Sequence, residues 1–132
     1  AVLGGGPRGD DAFAGFLDVA RPWLTIAAAR APMPRLGERA ARTDAGLTAL
    51  LAPAGFAAPT ITDVAIELSG APDEVFARLE PAYELAALTD GERADLRAAF
   101  VAAAPRWRRP DGAIACTMAT RLAVALRAAP GR

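Results

Sequence analysis

From Ile114 to Leu126 the side chains alternate. Ile114, Cys116, Met118, Thr120, Leu122, Val124 and Leu126 share one parity, and Ala, Thr or Arg fill the other. A β-strand sends successive side chains to opposite faces, so this period of two fits a strand packed on one side. The chain therefore has to build a sheet. A second strand is expected over Thr60 to Leu68, burying Val64, Ile66 and Leu68 and turning Asp63 and Glu67 to the other face. It follows an amphipathic segment that closes at Ala54-Gly55-Phe56, and residues 69–110 between the two strands read as mostly helical.

Ahead of the strands, Asp10 or Asp11 can cap a helix with Phe13, Phe16, Leu17 and Ala20 on its apolar face, the i, i+3, i+4, i+7 spacing. Pro22 is expected to end it. Trp23 to Ile26 then form a short apolar stretch before the connector Ala31-Pro32-Met33-Pro34. Thr43 starts a helix carrying Leu47, Leu50, Leu51 and Ala54. Pro53 removes a backbone bond in its last turn, so it ends early or bends, and Gly55 suits the left-handed residue that follows. Pro72 fits the first turn of a helix through Phe76 and Leu79, broken by Pro81 and resumed from Tyr83 to Leu88. Thr89-Asp90-Gly91-Glu92 is a capping box for a helix with the stripe Leu96, Ala99, Phe100 and Ala103. Pro105 closes that helix, and Pro110-Asp111-Gly112 turns into the last strand. Ala1-Val2-Leu3 reads as the end of a buried strand and Gly4 to Asp10 as a loop, so the chain is expected to open in mid-motif with a front portion missing.

Composition bounds the chemistry. The 132 residues suffice for a single small domain. All 15 basic residues are Arg and they balance 15 acids, so no net field draws nucleic acid or an anionic membrane. The chain has no Lys, His, Asn or Gln and is rich in Ala, the mark of a GC-rich bacterial genome. One Cys and no His exclude an internal disulfide, a multi-thiolate metal site and a His-based triad. Cys116 sits on the apolar face of the last strand, where a packed thiol is expected rather than a nucleophile. No apolar run reaches membrane-spanning length and Ala1 to Gly9 does not read as a signal peptide, so the cytoplasm is the expected compartment.

Two short features bear on ligands. Gly4, Gly6 and Gly9 spell G-x-G-x-x-G between a strand and a helix, as in flavin- and nicotinamide-binding proteins. Asp10 and Asp11, however, stand where a pyrophosphate would meet the positive helix end, and no second strand ending in an acid follows. Arg106-Trp107-Arg108-Arg109 is a basic cluster that reads as a solvated turn, with Trp107 free to fold onto the insert.

Taken together, Gly5-Gly6-Pro7 with Asp11-Ala12-Phe13 and Phe16-Leu17, Leu50 to Phe56, the strand Ile61 to Leu68, Pro72 to Phe76, Asp111-Gly112 and Met118 to Leu122 resemble the C-terminal half of class I S-adenosylmethionine-dependent methyltransferases of the small-molecule, quinone-biosynthesis type. Order and spacing carry the likeness over nearly the whole chain; no single motif does. The resemblance implies an α/β fold with a seven-stranded Rossmann-like sheet whose last strand is antiparallel. This chain would supply the end of strand five and strands six and seven, as one partial domain over 1–132, with a helical insert or lid over 69–110 that covers the substrate. The family's Gly-rich cofactor loop and ribose-holding acid belong to the front half. No residue here inherits a cofactor-binding, catalytic or metal role, and S-adenosylmethionine would be held only by the full-length protein.

Methyl transfer from a sulfonium relies on in-line approach and exclusion of water, so the lack of His is no obstacle. In the family, aromatic residues of such elements line the acceptor pocket, which implies Tyr83, Trp23, Phe13 and Phe76 as substrate contacts. Phe13, Phe16, Phe76 and Phe100 also fit a helical core stripe, whereas the Tyr83 hydroxyl needs a polar partner. The other reading is a non-enzymatic binding module derived from such an enzyme. In either case the unpaired edge of the truncated sheet is expected to make the isolated chain associate or aggregate.

Overall fold

The computed structural model describes residues 2–3, 6–31, 41, 43–83 and 85–127. The described residues form three strands, β1 (Val2–Leu3), β2 (Thr60–Glu67) and β3 (Thr117–Val124). The four helices are α1 (Ala12–Arg30), α2 (Asp44–Leu51), α3 (Pro72–Leu79) and α4 (Asp90–Ala103). The class is mixed α/β. The sheet order is β1-β3-β2, so the last strand lies between the first two. β1 is antiparallel to β3, with Val2 opposite Leu122 and Leu3 opposite Arg121. The bridges flanking β2 and β3, Phe56 to Arg127 and Gly70 to Ile114, are also antiparallel. No described helix is long and apolar enough to cross a membrane.

The chain divides into two compact units, one of Ala1–Gly5, Arg35–Val64 and Ala119–Arg132, the other of Gly6–Pro34 and Ala65–Met118. The first holds α2. Thr43 caps it by accepting from the Gly46 amide at 3.1 Å. The helix stops at Leu51, and a 3-10 turn over Ala52–Ala54 leads to Gly55 at φ 80°, as Pro53 and Gly55 require. Arg121 of β3 pairs with Asp44, and with Asp63 of β2 at 3.6 Å. Of the apolar stripe expected on α2 only Leu47 is buried; Leu50 and Ala54 are exposed.

The second unit carries the core, and its local signals are strong. Asp11, not Asp10, caps α1: its carboxylate accepts from the Phe13 amide at 2.9 Å and from the Thr117 amide at 2.7 Å. That second bond ties the helix start to β3. Thr89 and Glu92 form the reciprocal capping box of α4, and Arg30, in the last turn of α1, grips the same Glu92 carboxylate at 2.6 and 2.8 Å. Pro72 opens α3, and Glu74 reaches back to the Ala71 amide at 3.3 Å. Gly112 takes φ 87° in the turn before β3.

Several expectations fail for tertiary reasons. Pro22 does not end α1, which runs on through Trp23–Ile26 to Arg30. An interior Pro costs about 3 kcal/mol. Here Pro22 and Asp18, whose carbonyl loses its partner, lie on the exposed side where water can replace the bond. Burial of Ala27, packing of Trp23 and Leu24 on the core, and the Arg30–Glu92 pair offset the rest. Leu17, expected on the apolar face, is 41% exposed; Ala12, Phe13, Phe16, Ala20 and Ala27 hold that face instead. Among the described residues of the segment from Tyr83 to Leu88, none resumes a helix. Ala86 and Ala87 form a turn, with Leu85 and Leu88 buried as loop anchors. The connector beyond Ala31 lies outside the described residues, as do Gly4 and Gly5.

The strands depart in the same way. β3 begins at Thr117, and its even face is buried at Ile114, Cys116 and Thr120. Beyond that, Leu122, Val124 and Leu126 are exposed, and Ala123 of the opposite parity is buried. In β2, Val64 is exposed rather than buried, and Ile66 is half-buried. The alternation of an apolar strand therefore marks a face suited to cover without supplying the cover.

Candidate functional site

The aromatic side chains of the second unit converge. Phe16 of α1 stacks on Tyr83 with ring centres 4.8 Å apart and meets Phe76 of α3 at 6.1 Å and Phe100 of α4 at 5.6 Å. Phe76 and Phe100 are 5.8 Å apart, and Phe100 stacks on Trp107 at 5.6 Å. These separations suit the offset and tilted contacts that aromatic rings prefer. Trp107 can lie so close to α1 because residue 15 is Gly: a Cβ there would overlap the indole, 2.7 Å from Cε2 and nearer still to Cζ2. This use of the basic cluster's Trp has no local signal, since Gly15 and Trp107 are far apart in the chain.

The four residues expected to touch substrate divide in two. Phe13 and Phe76 are buried in the core, at 6% and 4% exposure. Trp23 lies within α1 rather than in a connector, and is half-buried against the same core. Tyr83 is half-buried too, and its hydroxyl accepts or donates no hydrogen bond among the described residues. Burial first, and then the neighbouring Cys116 sulfur, raise its pKa above that of a free phenol. Tyr83 is therefore a neutral phenol packed at the edge of the apolar core. Cys116 is fully buried, and burial above all, followed by Asp11 and Glu67, pushes its thiol up to about 12. Such a thiol is not a nucleophile at neutral pH.

A second feature went unnoticed in the sequence although its period was present. Asp73, Phe76 and Ala77 on α3 with Glu80 just past its end, and Asp90, Arg93, Ala94 and Arg97 on α4, each follow i, i+3, i+4, i+7 and line one groove of about 380 Å³. Arg93 pairs with Glu80 at 2.5 Å and Arg97 with Asp73 at 2.9 Å. Alanines make part of its floor, and the acids already neutralise both guanidinium groups. The buried Arg93 Nε has no hydrogen-bond partner, yet it is closed to solvent and so offers a ligand nothing without rearrangement. The two pairs join α4 to α3 and to the turn that follows it, and Asp90 is the remaining acid of the lining.

The Glu92 carboxylate is held down to about 2, first by the hydrogen bonds from Arg30 and then by the Thr89 backbone amide. Its ordinary value is 4.5. A carboxylate with a depressed folded-state pKa stabilises the fold above its unfolded value and stops doing so as pH falls through the folded one. Stability is thus expected to drop as the pH is lowered from about 4.5 towards 2, and Glu92→Gln to flatten that part of the curve. Thermal melts of the two proteins between pH 6 and pH 2 measure it; parallel curves would refute the assignment.

Other sites are bare. Among the described residues no three His, Cys, Asp or Glu side chains are grouped to hold a metal ion. Gly6 and Gly9 of the glycine loop have no left-handed φ and no neighbour within 4 Å of a Cβ, so neither position requires glycine. Instead Pro7 bridges antiparallel to Met118. In comparisons with known proteins, no family model, no curated protein and no solved structure matches the chain.

Proposed function

We propose that the chain is the C-terminal, substrate-covering part of an S-adenosylmethionine-dependent methyltransferase that acts on a small molecule in the cytoplasm, inactive without an N-terminal half. One observation carries the reading: the last strand lies between the other two, antiparallel to β1, with antiparallel bridges on the β2 side and a helical segment joining β2 to it. Antiparallel neighbours can be joined by a short hairpin, but here α3 and α4 stand between β2 and β3, which is the helical insert this reading calls for. The outer edge of β1 is open among the described residues, where a further strand of a Rossmann-like sheet would pair. Leu122 and Val124 on β3, and Leu126 just beyond it, present apolar surface that a larger domain would cover. The half-buried Tyr83 and Trp23, with Phe13 and Phe76 behind them, would form the acceptor wall, and an apolar or planar substrate would suit it.

Binding of the methyl donor tests the reading. Titration calorimetry with S-adenosylmethionine is expected to show binding by the full-length product of the reading frame that contains these residues. Residues 1–132 alone are expected to show none. A full-length product that ignores the donor, or an isolated chain that binds it, would refute the assignment; the first result would favour a non-enzymatic module.

A further inference from the structure

We propose that α1 is divided at Pro22 into a fixed first half and a strap, residues 23–30, that opens off the core as a unit, hinged at the proline and latched by Arg30. The two halves are held differently. Ala12, Phe13, Phe16 and Ala20 are buried before the proline, whereas Ala27 alone is buried after it, with Trp23 and Leu24 half-buried. A segment with fewer buried apolar groups opens locally at a lower free energy.

The junction between the halves is weakened twice. Pro22 has no amide to give the Asp18 carbonyl, so one of the helical bonds that would cross the junction is missing. Beside it, the Thr25 hydroxyl donates to the Arg21 carbonyl at 3.0 Å, a back-bond of the kind that bends helices. The hinge is therefore written into the chain at Pro22.

The latch lies at the other end of the strap. The Arg30 guanidinium donates to both oxygens of Glu92, at 2.6 and 2.8 Å, and to the Ala87 carbonyl at 3.3 Å. Glu92 also accepts from the Thr89 amide at 2.9 Å and from its hydroxyl at 3.1 Å, so the catch stays in place when Arg30 lets go. Two parallel charge-assisted bonds give the latch direction, but the Arg30 side chain is 46% exposed and water competes for it. It can be released without unfolding α4. Opening then uncovers the part of the core on which Trp23, Leu24 and Ala27 pack. The device does not depend on the methyltransferase reading, because it rests on how α1 is held to α4 alone.

Hydrogen exchange followed by mass spectrometry on the full-length product tests it, since peptides on either side of Pro22 can be read separately. The amides of residues 26–30 should be protected about tenfold less, or more weakly still, than those of residues 16–20. Arg30→Met keeps the apolar stem and removes the latch; it should speed exchange in the strap about three- to tenfold and leave residues 16–20 unchanged. Pro22→Ala restores the missing bond and should slow the strap by about tenfold or more. Equal protection of the two halves in the wild type overturns the proposal. So does an Arg30→Met protein in which the strap is unchanged or both halves speed up alike, or a Pro22→Ala protein in which the strap is not slowed.

Discussion

Phe16→Ala should cost about 3–5 kcal/mol of folding stability. Phe16 has no exposed surface and touches three other rings, Phe76, Tyr83 and Phe100, each contributed by a different segment. Collapse around the lost ring is resisted by the two ion pairs that join α4 to α3 and to the turn that follows it, so most of the cavity should persist. Domains of this size are stable by about 5–15 kcal/mol, so the variant should sit near unfolding. The internal control is the next residue. Leu17→Ala removes a side chain that is 41% exposed and should cost well under half as much. Urea titrations of the two variants separate the cases by their midpoints at a common slope. Equal losses would mean that Phe16 is not the centre of the cluster.

The second large effect is expected at Gly15. An Ala here gains about 1 kcal/mol of helix propensity, because Gly is costly in a helix interior. Against this, its Cβ would overlap the Trp107 six-membered ring, with Cε2 at 2.7 Å and Cη2 at 3.0 Å. Trp107 cannot swing away freely, since it is also stacked on the fully buried Phe100. Overpacking of this kind costs about 1–3 kcal/mol and sometimes more. The steric term should win, giving a net loss of about 2 kcal/mol in place of the gain that an open helix would show. Trp107→Leu should be harmful alone yet partly rescue Gly15→Ala, and a double-mutant cycle would read the coupling. A Gly15→Ala protein more stable than the parent would show that the indole does not rest on α1.

The two experiments expose different depths of legibility. The helical period alone marks Phe16 as core, but it marks its neighbour Leu17 equally, and packing leaves Leu17 41% exposed. The seat of Trp107 on Gly15 joins residues with no common periodicity, so nothing local could announce it. The ladder between α3 and α4 falls between these extremes: each half keeps a helical period, but only packing sets acids against arginines. Tyr83 and Trp23 keep partial exposure while Phe13 and Phe76 do not, and that distinction too required the packed core.

What the chain's own order of residues settled is local. Thr43, Asp11 and the Thr89–Glu92 pair start helices, Pro53 and Gly55 stop one, Gly112 turns the chain, and the alternation before and after Met118 makes a strand. Each depends on hydrogen bonds and backbone angles reaching only a few residues, so a short window contains the whole cause. Three matters were decided by the tertiary structure: that α1 survives Pro22, that β3 lies between β1 and β2, and that the far half of its apolar face stays uncovered. These turn on which distant surfaces meet, and the free energy of burial belongs to the pair of surfaces rather than to either sequence segment.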